Sequence, residues 1–169
     1  MKCHRSAFTL REHAFRRPRR GFTLIEVLIV VVIMAVLAAT IIPQFSSSTQ
    51  DAKESTLKFN IHTLRSQIEM YKIHHLGDYP AITDADLPQL TGATNVDGEI
   101  GTAGANYPYG PYITGDLPPN PFDGSNTVTA VTTPGTKPST PVGTDGGWLY
   151  DASNGSIWPN DSTGLALYQ

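Results

Sequence analysis

The sequence predicts an α+β protein in which a long N-terminal helix, apolar enough in its first half to cross a membrane and amphipathic in its second, packs on a small antiparallel β-sheet headpiece. Three observations carry this prediction. Residues 22–42 form an apolar run interrupted by one acid, apolar residues recur at helical spacing from Leu57 to His75, and most of the 15 Gly and 13 Pro fall beyond residue 76 among short β-rich stretches. The 169 residues suffice for one modest domain, since domains usually take about 100 to 200 residues.

The opening segment is basic. Residues 1–21 hold seven of the twelve Lys and Arg and one of the fifteen Asp and Glu, a balance of +6, which leaves five bases against fourteen acids, or −9, on the remainder. An acidic remainder excludes nucleic acid as an expected partner. Bases placed just before an apolar run stay on the cytoplasmic side, so the rest of the chain is expected outside. The only cysteine, Cys3, lies in this basic segment, so the exported part has no internal disulfide, thiol nucleophile or thiolate ligand.

The apolar run, FTLIEVLIVVVIMAVLAATII, has twenty-one residues and as a helix spans roughly 31 Å, about one hydrocarbon thickness. Glu26 is its only charge, and a carboxylate at the bilayer centre costs about 2.5 to 3.5 kcal/mol on insertion scales. Three readings accommodate it. The run is an uncleaved anchor with Glu26 near the hydrated interface, or a secretory signal with Arg19-Arg20-Gly21-Phe22 resembling a twin-arginine motif and a small-residue cleavage site after Val36-Leu37-Ala38. The third is cleavage between Gly21 and Phe22, which frees an amine at Phe22 about one helical turn before Glu26 and gives the acid a partner.

The stretch RGFTLIEVLIVVVIMAVLAATIIPQF resembles the N-terminal signature of type IV prepilins and type II secretion pseudopilins over twenty-six continuous residues. The resemblance implies that a prepilin peptidase cuts after Gly21 and methylates Phe22, and that Glu26 pairs with the N-terminal ammonium of a neighbouring subunit entering a filament. Two unit charges about 4 Å apart at an effective dielectric near 20 attract by about 4 kcal/mol, although desolvation takes much of this back. Such a pair chiefly specifies axial register among uniform Val, Ile and Leu contacts. Pro43 removes a helical amide, and Thr40 and residues 46–48 offer competing hydrogen bonds, so a kink or local melting is expected there or simply a helix end.

Beyond the serines, Leu57, Ile61, Leu64, Ile68, Tyr71 and His75 lie at spacings of 4, 3, 4, 3 and 4, one stripe along a helix that Gly77 stops. Glu54 and Lys58, and Glu69 and Lys72, stand at neighbour spacing on its other faces. His62, His74 and His75 match no metal-binding spacing and are expected to be solvated. The resulting division is a basic leader over 1–21, an apolar assembly helix over 22–43, an amphipathic helix over 44–76 and a turn-rich headpiece over 77–169.

Residues 78–120 are expected to form loops with at most a short helix and one brief strand. Thr127 to Thr133 is β-rich, and GWLYDASNGSIWPN reads as a hairpin with Asn154-Gly155 in its turn, the intervening residues 134–147 forming an exposed loop. Gly110-Pro111-Tyr112, Asn120-Pro121-Phe122 and Tyr150-Asp151 resemble segments of the G-type major pseudopilin of type II secretion. The absence of cysteines after Cys3 separates the chain from pilins that close a C-terminal disulfide loop, and places secretion before motility. The same resemblance implies calcium, for which Asp123, Asp145, Asp151 and Asn154 supply oxygens. Their spacing matches no complete ligand loop, so they are read as turn-forming, solvated acids and no cofactor is assigned.

Residues 98–104, GEIGTAG, are not a dinucleotide fingerprint, and no P-loop or GxSxG occurs. No enzyme is expected. The resemblance implies a structural subunit in the bacterial inner membrane, single-pass with its headpiece in the periplasm, forming a homo-oligomeric filament with minor pseudopilins on an inner-membrane secretion platform to support protein export. The alternatives are a type IV pilin for adhesion, motility or DNA uptake, and a soluble exported binding module released by signal peptidase.

Overall fold

The computed structural model describes residues 21–168; the basic leader up to residue 20 lies outside the described residues. The chain divides into two compact units, one up to Gln44 and one from Phe45 onward. Helix α1, Leu24–His74, belongs to both and is assigned without a break through Pro43. In the first unit every residue of 21–42 is exposed, and the helix is long and apolar enough to cross a membrane.

In the second unit the predicted stripe is buried. Leu57, Ile61, Leu64, Ile68, Tyr71 and His75 are each at most 2% exposed, as a 3.6-residue period requires when one helix face meets a core. The helix ends as expected at Gly77, whose φ of 101° suits a residue without Cβ and whose N–H reaches the Lys72 carbonyl at 3.0 Å. Among the described residues the one ion pair within 4 Å is Lys72 to Glu69. Glu54 accepts instead from Gln50 Nε2.

The stripe is covered by a three-stranded sheet of β3 (Val128–Ala130), β4 (Trp148–Asp151) and β5 (Ser156–Pro159). The hairpin β4–β5 is antiparallel as predicted, with Asn154 and Gly155 in its turn. Strand β3 joins β4 in parallel, so the sheet is mixed. The physical reason is the 134–147 connection, which is long enough to carry the chain back to the start of the sheet. All of β4 is buried because both sheet faces are covered. Trp148 and Tyr150 point into the α1 core with Ile157, whereas Leu149 packs with Trp158 and Leu165 on the other side. Leu165 belongs to a terminal helix, α3 (Ser162–Ala166), that the sequence reading did not contain. Asp161 caps it by accepting from the Gly164 N–H.

Residues 78–120 hold one short helix, α2 (Pro88–Thr91), and two brief paired strands rather than one, β1 (Ala93–Thr94) and β2 (Ile100–Gly101). The pseudopilin-like segments prove to be fastenings. Tyr112 packs edge-on to Tyr71, with its N–H bonded to the Leu90 carbonyl. Pro118 and Pro119 expose carbonyls that no ladder satisfies, and these accept from Trp148 Nε1 at 2.9 Å and Asn60 Nδ2 at 3.0 Å. Asn120, fully buried, donates through Nδ2 to Asp161, Gly147 and Asp123 and accepts from the Phe122 N–H. The Tyr150 hydroxyl donates to the Pro80 carbonyl.

Of the histidines expected to be solvated, His75 is buried and His74 half-buried. His75 is 1% exposed, stacked on Tyr71 at 3.7 Å, and bridges the Tyr71 carbonyl and Thr94 Oγ1. His74 stacks on Tyr109 and bonds Tyr112 Oη at 2.9 Å. Their rings fill the end of the core where α1 meets β1, and hydrogen-bonded partners remove the cost of burying a polar ring. His62 is exposed, as expected.

Asp151 also departs from the solvated reading, being 2% exposed. Burial raises its carboxyl, but the Ser153 hydroxyl and the Gly135 and Ser153 N–H groups outweigh this and hold it below the usual carboxylate range. A depressed folded value means that its contribution to stability is present above the unfolded pKa and is lost as pH falls through the folded one. Asp151→Asn turns one acceptor into a donor facing an N–H. It is expected to cost about 1 to 3 kcal/mol near neutral pH and to flatten the loss of stability below about pH 4, where the unfolded carboxyl titrates. Thermal unfolding of both proteins between pH 3 and 7 measures this; identical profiles would remove the assigned role.

Candidate assembly and processing site

The N-terminal end of α1 gathers the candidate processing and assembly residues. Gly21, Phe22 and Thr23 precede the first helical residue, Phe22 is 88% exposed, and Glu26 sits in the first turn. Thr23 and Glu26 close a reciprocal cap. The Thr23 N–H and Oγ1 each reach Glu26 Oε2 at 2.8 Å, and the Glu26 N–H approaches Thr23 Oγ1 at 3.3 Å. This is a capping box, in which two otherwise unbonded helix-end donors are satisfied together and a carboxylate lies at the positive end of the helix dipole. The spacing Thr23-Leu24-Ile25-Glu26 carries that signal, and the sequence reading passed over it.

The cap changes the account of Glu26 in an apolar setting. Its carboxylate is held by its own helix, which offsets part of the cost of placing a charge among Val27, Ile29 and Val30. Farther along, Thr40 Oγ1 donates to the Leu37 carbonyl, one of the competing bonds expected before Pro43.

Of the four residues considered for calcium, Asp123, Asp151 and Asn154 accept hydrogen bonds from nearby donors, and Asp145 Oδ1 accepts from Thr144 Oγ1. Asp123 accepts from the Gly147 and Ser125 N–H groups and from Asn120 Nδ2, Asp151 is filled by the donors described above, and Asn154 Oδ1 accepts the Ser156 N–H. Among the described residues no three His, Cys, Asp or Glu side chains converge as a metal site. These residues organise turns.

An exposed apolar helix long enough to cross a membrane, with one capped carboxylate at its start, and an amphipathic helix stripe covered by a small mixed sheet are the features of the pilin-like class. Residues 16–42 match the prokaryotic N-terminal methylation motif, and residues 44–147 match protein G of the type II secretion system. The chain belongs to the type II secretion system protein G family, a structural family of pseudopilins. It is 41% identical over 66 residues to the type II secretion system core protein G of Pseudomonas aeruginosa, an alignment covering 39% of this chain and 46% of that protein. It is 32% identical over 104 residues to the core protein G of Klebsiella pneumoniae, covering 62% and 69%, and 33% identical over 109 residues to that of Klebsiella michiganensis, covering 64% and 72%. No solved structure matches the chain.

Proposed function

We propose that this chain is cut between Gly21 and Phe22 by prepilin peptidase, is methylated at Phe22, and polymerises through α1 into a periplasmic pseudopilus that supports protein export. The single observation that supports this most is the apolar face of residues 22–42, which is exposed all round and starts at a capped acid. Before cleavage the chain sits in the inner membrane with its basic end in the cytoplasm. On assembly the Phe22 ammonium of one subunit meets Glu26 of the next, fixing the axial stagger. Pro43 gives the helix a point at which order is lost on packing. The filament grows on the inner-membrane platform together with minor pseudopilins.

Intact mass and N-terminal sequencing of the protein, taken from membranes of a host carrying its prepilin peptidase, test the reading. The expected chain begins with N-methylated Phe22. A chain beginning near Ala39, or at Met1, would overturn it, and long surface fibres would move the assignment from secretion to a type IV pilus.

A further inference from the structure

Charge is segregated within the headpiece unit. Of the five bases beyond the leader, Lys53, Lys58, Arg65 and Lys72 lie on α1, whereas ten of the fourteen acids lie beyond Gly77. Two of the bases, Lys58 and Arg65, border a groove on the flank of the helix beside the headpiece, lined also by Ile61, His62, Ser66, Glu69 and Tyr168. Beside it runs an apolar ridge: Phe59, Met70 and Ile73 are 70%, 45% and 72% exposed. At about 100° per residue these three fall within roughly 60° of one another, opposite the buried stripe. Met70 and Ile73 are neighbours and Phe59 stands about 16 Å away along the axis, so the ridge is a stripe of large exposed apolar side chains on one face, the kind of surface that marks a contact.

The complement is present elsewhere in the chain. The β1–β2 hairpin tip carries exposed Val96 and Ile100 with Asp97 and Glu99. It is rigid, because Asn95 Oδ1 accepts the N–H groups of both Asp97 and Glu99 while Asn95 Nδ2 holds the Glu99 carboxylate. The two patches do not meet within one chain. Gly98 at the tip lies so close to Tyr71, on the buried side of α1, that a Cβ there would sit 2.5 Å from the Tyr71 hydroxyl, whereas the ridge faces the opposite way.

We infer that the acidic, apolar β1–β2 tip of one copy docks on the basic groove and apolar ridge of α1 in a second copy. The inference rests on the filament reading above and adds the surfaces that hold neighbouring headpieces together. Two different patches that complement each other form a head-to-tail contact, which propagates without closing when the rotation between copies does not return to the start. Opposite charge orients the encounter, and acid against acid disfavours tip-to-tip pairing.

Two measurements on the full chain, in a host with its peptidase and secretion platform, test this. Lys58 and Asp97 are exposed and their side chains form no hydrogen bond among the described residues, so reversing them spares the fold. Lys58→Glu and Asp97→Lys are each expected to lower the yield of sheared filaments about tenfold, and the double variant to restore it. With Cys3→Ser removing the natural thiol, Phe59→Cys combined with Val96→Cys is expected to give, on oxidation, a ladder of trimers and larger species, whereas either cysteine alone stops at dimers. Wild-type yields in both charge variants, or no ladder from filaments that do form, would overturn the docking contact and leave the filament reading standing. Absence of filaments from correctly processed wild-type chain would overturn both.

Discussion

Glu26→Ala is expected to be processed normally and to yield essentially no filament. An ammonium and a carboxylate about 4 Å apart at an effective dielectric near 20 attract by about 4 kcal/mol. If desolvation cancels half of that, about 2 kcal/mol remain per junction, roughly a thirtyfold weaker addition of each subunit. Because every junction in a filament repeats the same loss, polymer of any length is suppressed far more than a single contact. The variant also opens the capping box with Thr23 and leaves the Thr23 N–H without its carboxylate acceptor. Glu26→Gln separates the two roles, since its amide oxygen still accepts the Thr23 N–H while its charge is gone. Shearing fractions and N-terminal sequencing of all three proteins provide the measurement. Filament from Glu26→Ala at wild-type yield would refute the pairing, and equal loss in Ala and Gln would assign the effect to charge rather than to the cap.

Trp148→Ala is expected to be the most damaging single change in the headpiece. The side chain is fully buried between α1 and the sheet, and truncation of a large buried aromatic costs about 3 to 5 kcal/mol. Loss of Nε1 also strands the Pro118 carbonyl, which adds about 1 to 3 kcal/mol. Against a typical stability of about 5 to 15 kcal/mol, this removes much of the folded population at 37 °C. Chemical unfolding of the detergent-solubilised chain, followed by tryptophan fluorescence of the remaining Trp158, measures the drop. A loss under about 1 kcal/mol would show that the site collapses around the missing ring.

The elements that were legible in the sequence are those with a strong period or a strong turn signal. The Leu57 to His75 stripe repeats every 3.6 residues on average and has one buried solution, and GWLYDASNGSIWPN places two apolar arms around an Asn154-Gly155 turn, as a hairpin requires. The parallel entry of β3 left no local trace, because strand direction is decided by the 134–147 connection and not by Val128 to Ala130 themselves. The partners of His74 and His75 were hidden for a similar reason. Their neighbours Thr94, Tyr109 and Tyr112 are 19 to 38 residues away, so a composition that suggests solvation gives way to contacts made by the tertiary fold. Asp161 and the Thr23–Glu26 box are different cases, since both carry local capping signals that were present and went unread. The candidate site was legible in its residues and not in its geometry: nothing in the order of Gly21, Phe22 and Glu26 states that the carboxylate is already engaged by its own helix.

The proline carbonyls at 118 and 119 have a mechanical consequence. Asn60 on α1 and Trp148 on β4 grip adjacent carbonyls of one short strap, and Arg65 Nη2 reaches the Ile157 carbonyl at 3.0 Å from the same helix. A pull along α1 therefore meets these ties in shear, several at once, together with the interlocked Leu57, Ile61 and Leu64 side chains. Load spread over parallel ties must break them together, whereas ties in series unzip one by one. Force applied along this part of the helix is thus handed to the whole headpiece at once.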